Sequence, residues 1–164
     1  MHDVEIRKQS PFTVAAVDHA GAYMEIGRAF STLYDWTVEH GLLNPQARSI
    51  AIYYDDPTIV PQAQLRSKAC VEITEPERVV FDDTVSRFEV AGGEFAVFTY
   101  IGPYSQLESA YRWLYGEWLP RSGRAAADAP VYEIYLNNCR DTPPMQLMTE
   151  ICLPLKSEAV GPAG

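Results

Sequence analysis

Glu133 is the residue of this sequence whose type and surroundings best suit chemistry. It interrupts a strand-like apolar run, 131–136, in which alternate side chains should point to opposite faces. Glu133 then shares a face with Val131 and Tyr135, whereas the opposite face is the better hydrophobic core. A carboxylate that points into a groove loses water, so its pKa should rise unless it is paired. The alternative is an ordinary glutamate at a solvent-exposed strand edge.

Aromatic side chains are the second feature that could form a site, since the chain has ten tyrosines, six phenylalanines and three tryptophans. Such rings either pack in a core or line a pocket for flat or cationic molecules. If the site is catalytic, Glu133 and Tyr104 are its candidate catalytic residues. Tyr111 and Trp118 lie on the apolar stripe of a predicted helix, where core packing is expected. The predicted ligand-binding residues are Glu133, Tyr53, Phe98, Tyr100, Tyr104, Trp113 and Tyr135.

Metal and cofactor chemistry is not indicated by the sequence. The three histidines show no metal-ligand spacing, and the three cysteines lie apart from them and form no Cys-x-x-Cys pair. The chain also lacks a Ser–His–Asp signature, a glycine-rich phosphate loop and a dinucleotide fingerprint. We therefore expect neither a metal nor a cofactor.

The elements that position these residues come from an internal repeat. Gly-Ala-Tyr at 21–23 recurs as Gly-Pro-Tyr at 102–104, at an offset of 81. Ile52-Tyr53 recurs as Ile134-Tyr135, at an offset of 82. At the second offset Glu133 corresponds to an alanine, Ala51. The copies share packing residues yet differ at this position, which favours a role for Glu133 in a site.

We predict two copies, 4–73 and 85–155, joined by a linker at 74–84, each with the order strand, strand, helix, strand, strand. The two glycines Gly92-Gly93 are typical of a tight hairpin. Gly41 is expected to end the first helix and Pro120 the second. Strands are predicted over 4–9, 12–19, 49–54 and 67–73 in the first copy, and over 85–90, 95–101, 131–136 and 146–153 in the second.

The predicted fold class is α+β, a tandem pseudo-twofold repeat of antiparallel modules with one main helix each. A single helix leaves one face of its small sheet uncovered, so the surface between the paired modules becomes a groove suited to a small molecule. Which face of the 95–101 strand lines that groove is left open. We expect one domain over 1–156 and a disordered tail at 157–164.

Composition limits the classes of function. A chain of 164 residues, 47% hydrophobic and 21% charged, suits one globular domain. Its formal net charge of −9 argues against binding to nucleic-acid phosphates and suits a cationic partner. The N-terminus has no secretory signal, no apolar run reaches membrane-helix length, and the cysteines read as free thiols. We therefore expect a cytoplasmic protein without membrane contact.

Five motifs in the second copy carry a family resemblance: Gly-Pro-Tyr at 102–104, Tyr-x-x-Leu at 111–114, Pro-Val-Tyr-Glu-Ile-Tyr at 130–135, Thr-Pro-Pro at 142–144, and Thr-Glu-Ile-Cys-Leu-Pro-Leu at 149–155. They resemble the GyrI-like small-molecule-binding family, which also forms the effector-binding domains of some AraC- and MerR-type regulators. The resemblance covers about residues 4–155 and is looser in the first copy, where Ala22 replaces the proline.

The resemblance implies two strand-helix-strand-strand modules, with Glu133 as the family's acidic residue in the groove. It leaves three functions open. The first is binding of hydrophobic, cationic or aromatic molecules, as in multidrug or xenobiotic sensing or sequestration. The second is hydrolysis of cyclopropane-bearing genotoxins by Glu133 and a tyrosine. The third is a protein partner, either gyrase or a separate DNA-binding regulator. Only three residues precede Val4, so the regulators' helix-turn-helix is not expected, and neither is direct nucleic-acid binding.

Overall fold

All strands belong to one eight-stranded antiparallel sheet in the computed structural model, which describes residues 3–157. The sheet order is β1-β6-β8-β7-β3-β4-β2-β5. Exchanging each strand for its counterpart in the other repeat gives the same order, so the predicted α+β class and pseudo-twofold repeat are confirmed. The strands are β1 (Val4–Gln9), β2 (Phe12–Ala20), β3 (Ser49–Tyr53), β4 (Arg66–Glu72), β5 (Ser86–Val90), β6 (Gly93–Ile101), β7 (Val131–Tyr135) and β8 (Met148–Pro154).

The first strand of each repeat pairs with the other repeat. β1 lies antiparallel to β6, with Gln9 opposite Gly93, and β5 lies antiparallel to β2, with Val90 opposite Phe12. The β1–β6 and β5–β2 pairings keep the same register. The segment β1–β2 and the segment β5–β6 therefore form one continuous two-stranded ribbon. The hairpin predicted at Gly92-Gly93 is therefore wrong, because the strands on either side of it lie at opposite ends of the sheet order.

Gly92 lies where the two strands of this ribbon come close together. A Cβ atom on Gly92 would lie 2.6 Å from the backbone oxygen of Gln9 and 2.7 Å from the Cδ of Pro11. Glycine is needed here for close approach of a second strand, not for a turn. Because the ribbon joins the two ends of the strand order, the sheet has to curl.

The curl closes one face of the sheet onto itself, so the uncovered face expected from the sequence is buried. It forms an inner core that includes Ile50, Ile52, Cys70, Tyr132, Ile134 and Cys152. Both helices pack on the opposite face, which we call the helix face. Helix α1 (Gly27–Glu39) covers β2 and β4, and α2 (Leu107–Trp113) covers β6 and β8.

The second helix continues past the proline that was predicted to end it. After α2 the chain forms one π-helical turn, Leu114–Trp118, and then a short helix α3 (Leu119–Ser122). Pro120 lies in the first turn of α3, where no N–H is needed, and the wider π turn before it accommodates the ring. The helix ends instead at Gly123, whose φ of +73° is left-handed.

The remaining boundaries follow the sequence with small shifts. The first helix ends just before Gly41, as predicted, and the last strand begins two residues later than predicted because Pro144–Gln146 form a 3-10 turn. The predicted linker packs against α1, since Phe81 stacks on Trp36 at 5.8 Å between ring centroids. Residues 158–164 of the predicted tail lie outside the described residues. Within residues 3–157, no helix has the length and apolar character needed to cross a membrane.

Candidate functional site

Glu133 lies at the centre of the helix face. Its neighbours across the sheet are Ile151 in β8 and Ala51 in β3. Since Ala51 is its counterpart in the repeat, this cross-strand pair lies on the pseudo-twofold axis. The two helices cover the outer strands on either side, and the β3–β7 pair lies between them; we call the surface over this pair the groove. Tyr132 and Ile134 point into the inner core, which confirms the predicted orientation of β7.

Three phenols surround the carboxylate of Glu133, which is only 2% exposed. The Tyr111 hydroxyl donates to Oε2 at 2.6 Å, and the Tyr135 hydroxyl donates to Oε1 at 2.8 Å. The Tyr53 hydroxyl lies 3.4 Å from Oε1 and 3.2 Å from the Tyr135 hydroxyl. One carboxylate therefore holds together tyrosines from β3, β7 and α2.

The electrostatics of this group follow from its burial. Loss of water raises the pKa of Glu133, and the hydrogen bonds from the three phenols oppose that rise. Burial and the adjacent negative charge raise the pKa of Tyr53, Tyr111 and Tyr135 well above that of an ordinary tyrosine, so they remain hydrogen-bond donors. All three partners are neutral, and none of the ion pairs formed between residues 3 and 157 includes Glu133.

Further aromatic rings extend this group along the groove. Tyr23 packs on Tyr53 at 4.6 Å between ring centroids, and their counterparts Tyr104 and Tyr135 meet edge to face at 5.5 Å. Phe30 of α1 contacts Tyr135 at 5.9 Å. The predicted site residues Tyr53, Tyr104 and Tyr135 are thus brought together around Glu133.

The two halves of the groove differ in how their tyrosines are held. The Tyr23 hydroxyl donates to the backbone oxygen of Asp55 at 2.8 Å and accepts from its N–H at 2.9 Å. The hydroxyl of its counterpart, Tyr104, has no hydrogen-bond partner among residues 3–157. Burial raises the pKa of Tyr104 to about 12. Its phenol is therefore a free donor at the side of the groove that carries Glu133.

Three other predicted site residues lie away from Glu133, in the cluster beneath α2. Phe98 is two strands from Glu133, and its ring lies 5.2 Å from that of Trp113. The Tyr100 hydroxyl donates to the backbone oxygen of Pro103 at 3.0 Å. Phe98 and Tyr100 both lie on the helix face of β6, in the cluster beneath α2. Their contact with a ligand stays a prediction.

Tyr111 is the site residue that the sequence reasoning assigned to the core. It shares the apolar stripe of α2 with Leu107, Ala110 and Leu114, and helical spacing alone cannot separate the core from the wall of a groove. The repeat held a signal, because the counterpart of Tyr111 is Phe30, which has no hydroxyl. The copy with the glutamate also has the phenol that bonds it.

Chemically, this arrangement offers a buried carboxylate, several phenols and aromatic faces. Such a group can hold an organic cation, or it can exchange a proton with a bound molecule. Within residues 3–157, no cluster of three or more His, Cys, Asp or Glu side chains is placed to hold a metal ion.

Comparison with known proteins agrees with these features. The sequence matches the GyrI-like small molecule binding domain over residues 2–156. It is 26% identical over 157 residues to the probable transcriptional regulator YgiV of Escherichia coli, covering 93% of this chain and 96% of that protein. It is also 28% identical over 141 residues to a DNA gyrase inhibitor of Escherichia fergusonii, covering 83% of this chain and 88% of that protein.

Three solved structures share the fold at 14% sequence identity. The C-terminal domain of EcmrR matches with a TM-score of 0.75, covering 96% of this chain and 99% of that domain. In an EcmrR–DNA complex the TM-score is 0.76, and the match spans only 58% of the EcmrR chain. The structure of SAV2435 bound to tetraphenylphosphonium matches with a TM-score of 0.56, covering 94% of each chain.

Proposed function

We propose that this chain, which belongs to the family of GyrI-like small-molecule-binding domains, binds hydrophobic organic cations in the groove above Glu133. The observation that carries the proposal is the burial of Glu133, at 2% exposure, among neutral phenols. A carboxylate taken out of water without a positive partner is destabilising for the fold. A cationic ligand would supply the missing charge.

The aromatic rings around Glu133 favour the same class of ligand. Rings of Tyr23, Tyr53, Tyr104 and Tyr135 lie next to the carboxylate, and the faces of such rings attract cations when water is excluded. Apolar parts of a ligand would pack on the same rings. That SAV2435 has been solved with tetraphenylphosphonium supports this choice of ligand class.

Two probes of the same shape and opposite charge test the proposal. We expect tetraphenylphosphonium to bind in titration calorimetry and tetraphenylborate not to bind. Glu133→Gln should weaken tetraphenylphosphonium binding by about 1–3 kcal/mol, the scale of an interaction with a buried charge. Equal binding of both probes, or equal binding by parent and variant, would overturn the proposal.

Glu150→Gln is the matched control for this experiment. It changes the net charge by the same amount, but Glu150 lies opposite Ile134 on the other face of the sheet, where it pairs with Arg7 at 3.4 Å. This variant should bind tetraphenylphosphonium like the parent. A similar loss in both variants would show that overall charge, and not the groove carboxylate, attracts the cation.

A second candidate function is hydrolysis of cyclopropane-bearing electrophiles. It is favoured by the 2.6 Å contact between the Tyr111 hydroxyl and a carboxyl whose pKa burial raises, which is a pairing suited to general acid–base catalysis. Glu133 would take a proton from water as the water oxygen bonds to a cyclopropane carbon and the ring C–C bond breaks. A phenol would donate a hydrogen bond to the conjugated carbonyl oxygen that receives the electron pair, and the proton held by Glu133 would then pass to that oxygen. Mass spectrometry should then detect the hydrolysed product, with turnover by Glu133→Gln lower by about 10²–10⁴-fold. Absence of product with the parent protein would exclude this candidate.

A further inference from the structure

Ligand access to Glu133 requires one of the three phenols to leave it. The side chain is 2% exposed, and each carboxylate oxygen already accepts at least one hydrogen bond. A ligand that approaches the charge therefore takes the place of a tyrosine hydroxyl. Which hydroxyl is replaced decides what the ligand must offer in return.

The two phenols on Oε1 hold each other in place. Tyr53 and Tyr135 are 3.2 Å apart at their hydroxyls, and both lie on central strands of the sheet. Tyr53 also packs on Tyr23, which is fixed to the backbone of Asp55 on both its donor and acceptor sides. Moving either phenol would disturb the whole interlocked set.

Tyr111 alone bonds Oε2. Its hydroxyl makes one hydrogen bond, at 2.6 Å, and its ring stacks on that of Tyr115 at 6.5 Å. It lies on α2, three residues before the π-helical turn that begins at Leu114. Of the three phenols, Tyr111 is the one whose departure breaks a single hydrogen bond, so Oε2 is the oxygen that a ligand reaches.

An oxygen that loses a short hydrogen bond in a dry site remains unsatisfied unless the ligand replaces the donor. At 2% exposure the carboxylate is shielded from bulk water, and the side chains of Tyr53, Tyr111 and Tyr135 lie around it. A cation that carries an N–H group restores the hydrogen bond and supplies the charge. A quaternary ammonium or phosphonium supplies the charge only.

Building on the proposed function, we propose that the groove selects protonated amines or amidines over quaternary cations of the same shape, because the ligand must donate an N–H to Oε2 of Glu133 in place of the Tyr111 hydroxyl. Tyr111 then competes with every such ligand for Oε2, and the vacated oxygen discriminates between cations with and without an N–H. Charge and ring contacts bind any hydrophobic cation that fits the groove. Among these cations, the ones that carry an N–H group bind more tightly.

A pair of probes that differ in one group tests this inference. N,N-dimethyl-1-naphthylmethylamine is a protonated cation with one N–H at neutral pH, and its N,N,N-trimethyl analogue is quaternary and has none. We expect the protonated amine to bind about 10-fold more tightly or better, the scale of one hydrogen bond to a charged group. In Glu133→Gln this preference should fall to nearly nothing.

Tyr111→Phe separates competition from a merely structural role. It removes the hydroxyl that both cations have to displace, so both should bind more tightly than they bind the parent, while the preference for the protonated amine is kept. Tyr115→Phe is the matched control, because its ring is stacked on Tyr111 and its removed hydroxyl does not bond Glu133. That variant should keep the affinities of the parent for both cations.

The outcomes separate this inference from the function on which it rests. Equal binding of the two naphthyl cations by the parent protein, or tighter binding of the quaternary one, would overturn the inference and leave cation binding intact. No binding of either cation, together with no binding of tetraphenylphosphonium, would overturn both. A preference that is unchanged in Glu133→Gln, or affinities for both cations that are unchanged in Tyr111→Phe, would also overturn the inference, since Oε2 could not then be the oxygen that the ligand reaches.

Discussion

A single carboxylate lies at the pseudo-twofold axis because two would repel each other. Residues directly opposite in an antiparallel pair have Cβ atoms about 5 Å apart. A glutamate at position 51 would therefore face Glu133 on the same buried face, and the two charges would raise each other's pKa. Ala51, which is fully buried, leaves the space above the axis to Glu133 and its phenols.

The raised pKa of Glu133 predicts a particular dependence of stability on pH. The folded protein keeps this proton at pH values where the unfolded chain has lost it. The stabilisation is complete below the unfolded pKa of about 4.3 and is lost as pH rises through the folded pKa. Relative to Glu133→Gln, which has no proton to lose, the parent should become less stable with rising pH, by about 1.4 kcal/mol for each unit of pKa difference.

Urea unfolding of the parent and of Glu133→Gln at a series of pH values measures this effect. The comparison cancels the other carboxyls, such as Glu72, whose pKa is lowered by a hydrogen bond from Arg48 and which acts in the opposite direction. A difference in unfolding free energy that stays constant with pH would contradict the prediction.

Site residues on strands were predictable where the alternation of side chains along the strand showed which face they occupy. Glu133 and Tyr135 stood out because a period of two fixes which side chains share a face. Tyr111 was not predicted as a site residue, because a residue on the edge of a helix's apolar stripe contacts either the core or the groove depending on where the neighbouring helix lies. The position of that neighbouring helix is a property of the whole fold.

Among the elements, the pairing of β1 with β6 and of β5 with β2 could not be predicted from the local sequence. The segments around Gln9 and Gly92 have the turn-forming residues of a hairpin, and only the pairing of distant strands decides whether the chain folds back or continues. The end of the first helix was predicted from Gly41, which has a left-handed backbone conformation. Gly123 ends the second helix in the same conformation but was not predicted to do so. Pro120 was misleading because proline is also tolerated in the first turn of a helix, which is where it lies in α3.

Gly92→Ala tests the crossing of the ribbon. The added Cβ atom would lie 2.6 Å from the backbone oxygen of Gln9, and backbone atoms cannot move aside cheaply. We expect a loss of about 1–3 kcal/mol of stability, as is usual for overpacking, and a melting temperature lower by several degrees.

Gly116→Ala is the control for this substitution. It adds the same methyl group in the π-helical turn, where no atom lies within 4 Å of the new Cβ. Its melting temperature should equal or exceed that of the parent. If calorimetry shows the same melting temperature for both variants, the close crossing at Gly92 does not constrain the fold.

For the whole molecule, the charge of −9 predicts that this chain alone does not bind duplex DNA at physiological salt. Affinity for phosphates depends on clustered Lys and Arg, and the chain has 13 of these against 22 acidic residues. The EcmrR chain that was solved with DNA is longer than the part that matches this fold, since the match spans 58% of it. A gel-shift assay that showed micromolar binding, weakening steeply with added salt, would contradict the prediction.

The position of the Ala51–Glu133 pair has a consequence for the origin of such a site. Two identical subunits related by a twofold axis place the same residue on both sides of it, so a homodimer of single modules holds either two carboxylates there or none. Once both modules lie in one polypeptide, each position on the axis can change by itself. Joining two copies in one chain is thus what permits a lone negative charge at the centre of an otherwise symmetric molecule.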